Sequence, residues 1–353
     1  MDGFSQNSSE PPPGPGCALS PAGIASDTSL EPATESFEEI VTFVLEIFEQ
    51  EIERQQLYYH GLDHVYGVAR RGQLIFDTAV RFYTKKERPV ISWDRQRCLL
   101  YLSAIAHDML QIFLPQASPH MPRQRQSGHS EKATFERLRG LIDQVNQSAV
   151  QYRSAKSAFT DADVAVLQEA IEATVCQYDP ADGSIYQPLL YPEHRQGRSL
   201  SLVAHSIALA DIGTLGIEGI DAYRKEGSLL LLEENLDIVA FLQAPASFDA
   251  NFRENLRQRL LQRARFEISF ARGRLNRLDR ELQGLPKGAI DTLKAQVFTH
   301  LTPKTIKTLE RRVPTEEKTS LDELLGYFRL KDVDLKNRRL KDVDSEDINL
   351  KAS

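Results

Sequence analysis

Cysteine is scarce in this chain of 353 residues: Cys17, Cys98 and Cys176 are scattered, odd in number and never form a CxxC pair. That excludes a disulfide framework, gives no support to a thiolate zinc site, and fits a reducing compartment. Long apolar runs are missing too. No stretch approaches the ~18 residues that mark a membrane-spanning helix, and the first residues, MDGFSQNSSEPPPGPG, carry no basic patch ahead of an apolar segment. The expectation is a cytoplasmic protein with no membrane partner. An excess of positive charge is also lacking: the formal net charge is -7, which disfavours a nucleic-acid partner. Gly-rich loops of the GxxxxGK[ST] type do not occur, so motor or kinase chemistry has no support. Strand-like alternation is absent as well.

What is present is helical periodicity. With 41% apolar and 26% charged residues, the chain has enough material for a sizeable core. Residues 1–34 are rich in Ser, Pro and Gly and read as a disordered tail. Ser36-x-x-Glu39 forms a capping box ahead of Ile40, Val44, Ile47 and Phe48, so order is expected to begin there. Helical patterns follow near Val65–Leu74, Trp93–Leu110, Ser130–Val145, Thr160–Val175, Leu200–Leu215 and Ile220–Leu242, with a loop over 177–198. The fold class is therefore all-α, with a main helical body over 35–245, a helical extension over 246–313 and a charged flexible tail over 314–353. That tail contains LKDVD twice, at 330–334 and 340–344.

In the extension, Ala264, Ile268, Ala271, Leu275, Leu278 and Leu282 alternate steps of four and three, the seam of a coiled coil. The helix over 252–282 either packs on its own domain or offers a homodimer or protein-partner surface. Nine arginines from Arg253 to Arg280 face only Glu254, Glu267 and Asp279 there, a solvated face or an anion-binding one.

The residues with chemistry to offer sit elsewhere. His107 abuts Asp108 at the end of an otherwise apolar helix, and Asp211 interrupts the apolar run LVAHSIALADIGTLG. Buried titratable groups need partners. Taken alone, His107 reads equally as a satisfied core histidine and Asp108 as a helix-end residue meeting solvent; the second buried acid favours a shared cation. Two histidines and two carboxylates form a hard-to-borderline donor set suited to Mn, Fe, Zn or Mg.

In their order along the chain, His64 in YYHGLDHV, His107-Asp108 in LSAIAHDML and Asp211 in ALADIGTLG resemble the HD superfamily of metal-dependent phosphohydrolases, over about residues 37–245. The resemblance implies an HD-like helical bundle with a metal site between helices, ligated by His64, His107, Asp108 and Asp211. It also implies hydrolysis of a small phosphorylated substrate, a nucleotide or cyclic nucleotide. Tyr59-His60-x-x-x-His64 resembles the YHNxxH motif of helical cyclic-nucleotide phosphodiesterases, which makes His60 the candidate general acid, with a partly exposed surface histidine as the alternative; Gly61 stands where that motif has Asn. Asp108 is both ligand and catalytic residue in this scheme. The segment GHSEKAT is similar to the HEExSA-like segment of bacterial relatives and would add His129 to a second metal, although IEATVCQYDP lacks the further His that many relatives carry. A zinc protease is excluded, because its first His must be followed by Glu. Arg70 and Arg71 could neutralise substrate phosphate, and the loops 111–126 and 177–198 could line a pocket. The rival from another class is a non-catalytic HD-fold regulator that docks through its arginine-rich helix and C-terminal tail.

Overall fold

Capping residues and apolar periodicity fix the helix boundaries. The structure, a computed structural model, describes residues 31–84, 91–118, 120–153, 159–334 and 339–340. The helices of the main body are α1 (Glu31–Gln55), α2 (Leu62–Val80), α3 (Trp93–Ala106), α4 (His129–Arg153), α5 (Asp161–Glu172), α6 (Leu202–Asp211), α7 (Thr214–Ile217), α8 (Ile220–Glu234) and α9 (Leu236–Gln243). Beyond them lie α10 (Ala250–Glu281), α11 (Lys287–Thr292), α12 (Pro303–Arg312) and α13 (Leu321–Tyr327). Ser92, Thr160, Ser201 and Asp249 open α3, α5, α6 and α10 by accepting a backbone N–H that the helix itself cannot satisfy. The protein is mostly helical, as the all-α expectation has it. No helix among the described residues is long and apolar enough to cross a membrane.

At the centre, α2 packs on α3 and α6, while α1, α4 and α5 wrap that trio. Val65, Val68, Ile75 and Phe76 of α2, Leu99, Leu102 and Ile105 of α3, and Val203, Ile207 and Ala210 of α6 are fully buried. Each large apolar side chain buried this way contributes roughly 1.5–3 kcal/mol, so the trio is a firm frame. α6 is apolar on nearly every face, as a central helix must be.

Several sequence expectations are corrected. α1 starts at Glu31, so Ser36 lies inside the helix, buried, rather than capping it; of the expected tail over 1–34, residues 1–30, Cys17 among them, lie outside the described residues. The region 177–198 is not only loop. Strands β1 (Gln177–Asp179) and β2 (Ser184–Tyr186) pair antiparallel across a turn whose Gly183 has φ +68, and strands of three residues are too short to show alternation. The apolar stretch over 220–242 breaks at Asn235 into α8 and α9.

The expected flexible tail is folded over 314–334. A capping box between Ser320 and Glu323 starts α13, which packs on α10. Leu330 and Val333 of the first LKDVD copy are buried, and β3 (Val333–Asp334) pairs with β4 (Arg339–Leu340). Residues 341–353, with the rest of the second copy, lie outside the described residues. The seam of α10 is covered by its own chain: Ala264, Ala271, Leu278 and Leu282 are buried. Its arginines are engaged with acids from other segments, Arg259 with Asp237, Arg265 with Glu317, Arg272 with Glu310 and Arg277 with Asp179 and Asp182.

Candidate metal centre

His64 lies in the first turn of α2, His107 caps the C-terminus of α3 with Asp108 just beyond, and Asp211 ends α6. The three mutually packed helices thus deliver four side chains to one point, with one ligand atom from each lying within 4.8 Å of all the others. His64 Nε2 is 3.2 Å from Asp108 Oδ2 and 3.3 Å from Asp211 Oδ1; His107 Nε2 is 2.9 Å and 3.7 Å from the same two atoms. Donors bound at about 2.0–2.2 Å to one ion are separated by roughly 3–4 Å, so these spacings match the edges of a coordination polyhedron.

The donor chemistry passes the same test. Neither ring nitrogen of His64 makes a hydrogen bond, nor does Nε2 of His107, although all are buried. The approaches to the carboxylates are at ion-pair distance but off the line that a hydrogen bond needs. His107 Nδ1–H donates to the Ala104 carbonyl at 2.8 Å, which turns the Nε2 lone pair toward the two acids. Lone pairs aimed at carboxylates repel unless a cation lies between them: a proton or a metal ion. Burial disfavours a charged His107 ring, but Asp108 and Asp211 outweigh it and hold the ring's pKa well above the ordinary value; His64 is raised by the same balance. Burial would likewise raise the two carboxyls, yet the neighbouring imidazoles hold both well below the usual range. The imidazoles are nearly sealed while the carboxylate side chains keep 13% and 14% exposure, so the point opens to solvent on the acid side. This cluster could hold a divalent ion.

Around it lies a second layer of polar groups. Gln187 Nε2 donates to Asp211 Oδ2 at 3.1 Å and Gln111 Nε2 to Asp108 Oδ1 at 3.0 Å. Both loops expected to line a pocket therefore reach the site, through glutamines; Tyr191 is instead buried, its hydroxyl donating to Glu281. His60 is buried, with Nε2 3.8 Å from Asp108 Oδ2 and Nδ1 2.5 Å from Glu233 Oε1. The other oxygen of Glu233 accepts the backbone N–H groups of Tyr58, Tyr59 and His60 at 3.0–3.1 Å. Burial would raise the Glu233 carboxyl; His60 and these hydrogen bonds hold it down, at about 2.

His129 is exposed at the start of α4, outside the four-residue cluster. In its segment Ser130 Oγ and Thr134 Oγ1 accept the backbone N–H groups of Ile112 and Leu110, stitching down the chain just after Asp108. Glu131 is the member that senses the site: burial raises its pKa, and the Asp108 and Asp211 carboxylates add to the rise. Arg70 and Arg71 serve elsewhere. Arg70 pairs with Glu218, and buried Arg71 donates to the Ala210 carbonyl and to Glu218 and Glu226. Sequence reading missed Glu233, although its signal, an acid inside the apolar run LLLLEENLD, is the kind that exposed Asp211. No protein-family model, curated protein or solved structure matches the chain.

Proposed function

We propose that this protein is a metal-dependent phosphohydrolase of the HD superfamily, acting on a small phosphoester such as a nucleotide or cyclic nucleotide. The observation that carries the reading is the convergence of His64, His107, Asp108 and Asp211 from three helices with buried ring nitrogens left without hydrogen bonds. A divalent ion held there supplies Lewis-acid polarisation of a phosphoryl oxygen and activation of water.

The chain's own residues supply the rest. His60 keeps a proton on Nδ1 against Glu233, so Nε2 is the atom through which it delivers a proton to a leaving oxygen. Glu233 fixes the orientation of the ring. Gln111 and Gln187 hold Asp108 and Asp211 with their remaining oxygens turned to the centre. The firm α2–α3–α6 frame keeps these groups in register.

The test is elemental analysis of the purified full chain, with hydrolysis of a generic phosphodiester and of nucleotides in Mn or Mg, beside His107→Ala. The expected result is about one divalent ion per chain and turnover in the wild type, both lost in the variant. A wild type that carries no metal and matches the variant in every assay sinks the enzyme reading, and the regulator takes its place.

A further inference from the structure

One guanidinium at the mouth of the centre is held in an unusual way. Arg125 Nη1 donates to His60 Nε2 at 3.0 Å and to Gln111 Oε1 at 2.6 Å. An arginine nitrogen is always a donor, so His60 Nε2 accepts, in agreement with its Nδ1 proton lying on Glu233. Gln111 in turn donates to Asp108, so hydrogen bonds run unbroken from Asp108 through Gln111, Arg125 and His60 to Glu233.

Arg125 touches no carboxylate among the described residues: its direct partners are a ring nitrogen and an amide oxygen, and Glu233, Glu234, Asp108 and Glu131 act on its charge only at longer range. A guanidinium fork matches a carboxylate or phosphate with two parallel N–H···O bonds, a geometry that a single ring nitrogen and an amide oxygen do not offer. Its place is built rather than accidental. Residues 111–114 and 123–125 approach one another as a short antiparallel flap, with Phe113 bridged to Arg125 and Leu114 N–H donating to the Gln124 carbonyl at 2.7 Å. Arg123 clamps the flap: its N–H donates to the Glu234 carbonyl at 2.7 Å, its Nε to the Glu233 carbonyl at 2.7 Å, and its Nη1 to the Gln55 carbonyl at 2.7 Å.

Charge points the same way. Asp108, Asp211, Glu131 and Glu233 surround the centre, and a phosphorylated substrate brings further negative charge. One divalent ion offsets two of these charges, and Arg70 and Arg71 are paired elsewhere. Among the described residues, Arg125 is the cation hydrogen-bonded to both Gln111, which holds Asp108, and His60.

We propose that Arg125 is a substrate-binding residue of this centre: its guanidinium takes a non-bridging phosphoryl oxygen, and in doing so frees His60 Nε2 to take up a proton from water, the proton it then gives to the leaving oxygen. The inference rests on the phosphohydrolase reading and adds the residue that recognises the anion. It makes the order of events depend on substrate charge, since a neutral ligand has nothing with which to draw Arg125 off His60.

The experiment uses the full chain loaded with manganese, its metal content measured first, and inorganic phosphate titrated by calorimetry into wild type, Arg125→Ala, Arg125→Gln and Arg125→Lys. Phosphate affinity should fall about 10- to 100-fold in the Ala and Gln variants, the range for a lost charge-assisted hydrogen bond. Metal content should stay at the wild-type level, and Arg125→Lys should recover part of the affinity. Phosphate affinity within twofold of wild type in both neutral variants, with metal retained, overturns the role of Arg125, as does a loaded wild type that binds no phosphate. A wild type that takes up no metal overturns the phosphohydrolase reading itself and the inference with it, so the two failures are told apart by the first measurement. Were the Ala and Gln variants to lose their thermal transition, Arg125→Lys carries the test: a phosphate affinity reduced but not abolished is expected, and an affinity equal to wild type overturns the role of the guanidinium.

Discussion

Two clusters of buried charge flank α6, and they differ in what they leave unsatisfied. On one side Arg274 Nη1 donates to Glu281 Oε2 at 2.5 Å, Tyr191 donates to Glu281 Oε1 at 3.2 Å, and His205 Nε2–H donates to the Glu281 carbonyl at 2.6 Å. Burial lowers the His205 pKa to about 4, so its ring is neutral and its proton is committed. There the acid's two oxygens and the histidine's Nε2 are matched, and one guanidinium nitrogen is left over. On the other side His64 and His107 turn three ring nitrogens into a gap between carboxylates with no hydrogen bond at all. Burial and charge are common to both clusters. What separates structure from chemistry is the orphaned lone pair, because a matched network only holds the fold whereas an unmatched one calls for a ligand.

The sharpest contrast comes from breaking each cluster in turn. Arg274→Ala strips the partner from a fully buried carboxylate and should cost about 3–5 kcal/mol of stability, read by chemical denaturation, while metal per remaining folded chain stays at the wild-type level. His107→Ala should do the opposite, losing the ion with less effect on the ion-free fold. If Arg274→Ala folds and yet loses its metal, the two clusters are one network and the distinction fails. A smaller effect is expected beside the metal centre, at the group that holds His60. Glu233→Gln keeps the shape of the group that holds His60 but removes its charge; turnover should fall roughly 10- to 100-fold, as for other outer partners of a site, with kcat rather than KM carrying the change and metal content unaltered. A change confined to KM would mean that Glu233 acts on substrate binding, not on the His60 ring.

Much of this was legible in the sequence, for physical reasons that can be named. α2, α3 and α6 show through their apolar periodicity, and His107-Asp108 and Asp211 show because acids and imidazoles are costly inside apolar runs. His64 ranked above His60 only by resemblance; the structure separates them by geometry, since His64 Nε2 lies between two carboxylates and His60 is tied to Glu233. The flap that pairs Phe113 with Arg125 and the roles of Arg123 and Arg125 were hidden, because their partners are backbone carbonyls, a glutamine and a histidine distant in sequence, which leave no periodic signal. The folded segment over 314–334 was hidden for a related reason: α13 is only seven residues long, and its charge pattern resembles that of a solvated tail.

Glu267 is the case that decides whether an orphaned atom is by itself a sign of function. It is buried on α10; Oε2 accepts from the Tyr327 hydroxyl at 2.7 Å, while Oε1 has no hydrogen bond. No imidazole or second acid joins it in a metal-binding group among the described residues, and a Cβ placed on Gly227 would lie 2.8 Å from Oε1, so α8 closes the space. Burial raises the Glu267 pKa to about 6, against the opposing pull of Arg263 and Tyr327. The folded value lies above the unfolded one, near 4.5, so the folded state binds the extra proton between these two pH values. The group's stabilising contribution is complete below about pH 4.5 and is lost as pH rises through 6, a swing of about 2 kcal/mol. Glu267→Gln removes the charge and keeps the shape. Its unfolding free energy minus that of wild type should therefore grow by about 2 kcal/mol between pH 4.5 and pH 8, with metal content and turnover unchanged. A difference that does not move with pH would show that the carboxyl is matched by a partner after all. A loss of turnover at constant stability would instead put Glu267 with the metal centre, and an orphaned oxygen alone would then be enough to mark a functional site.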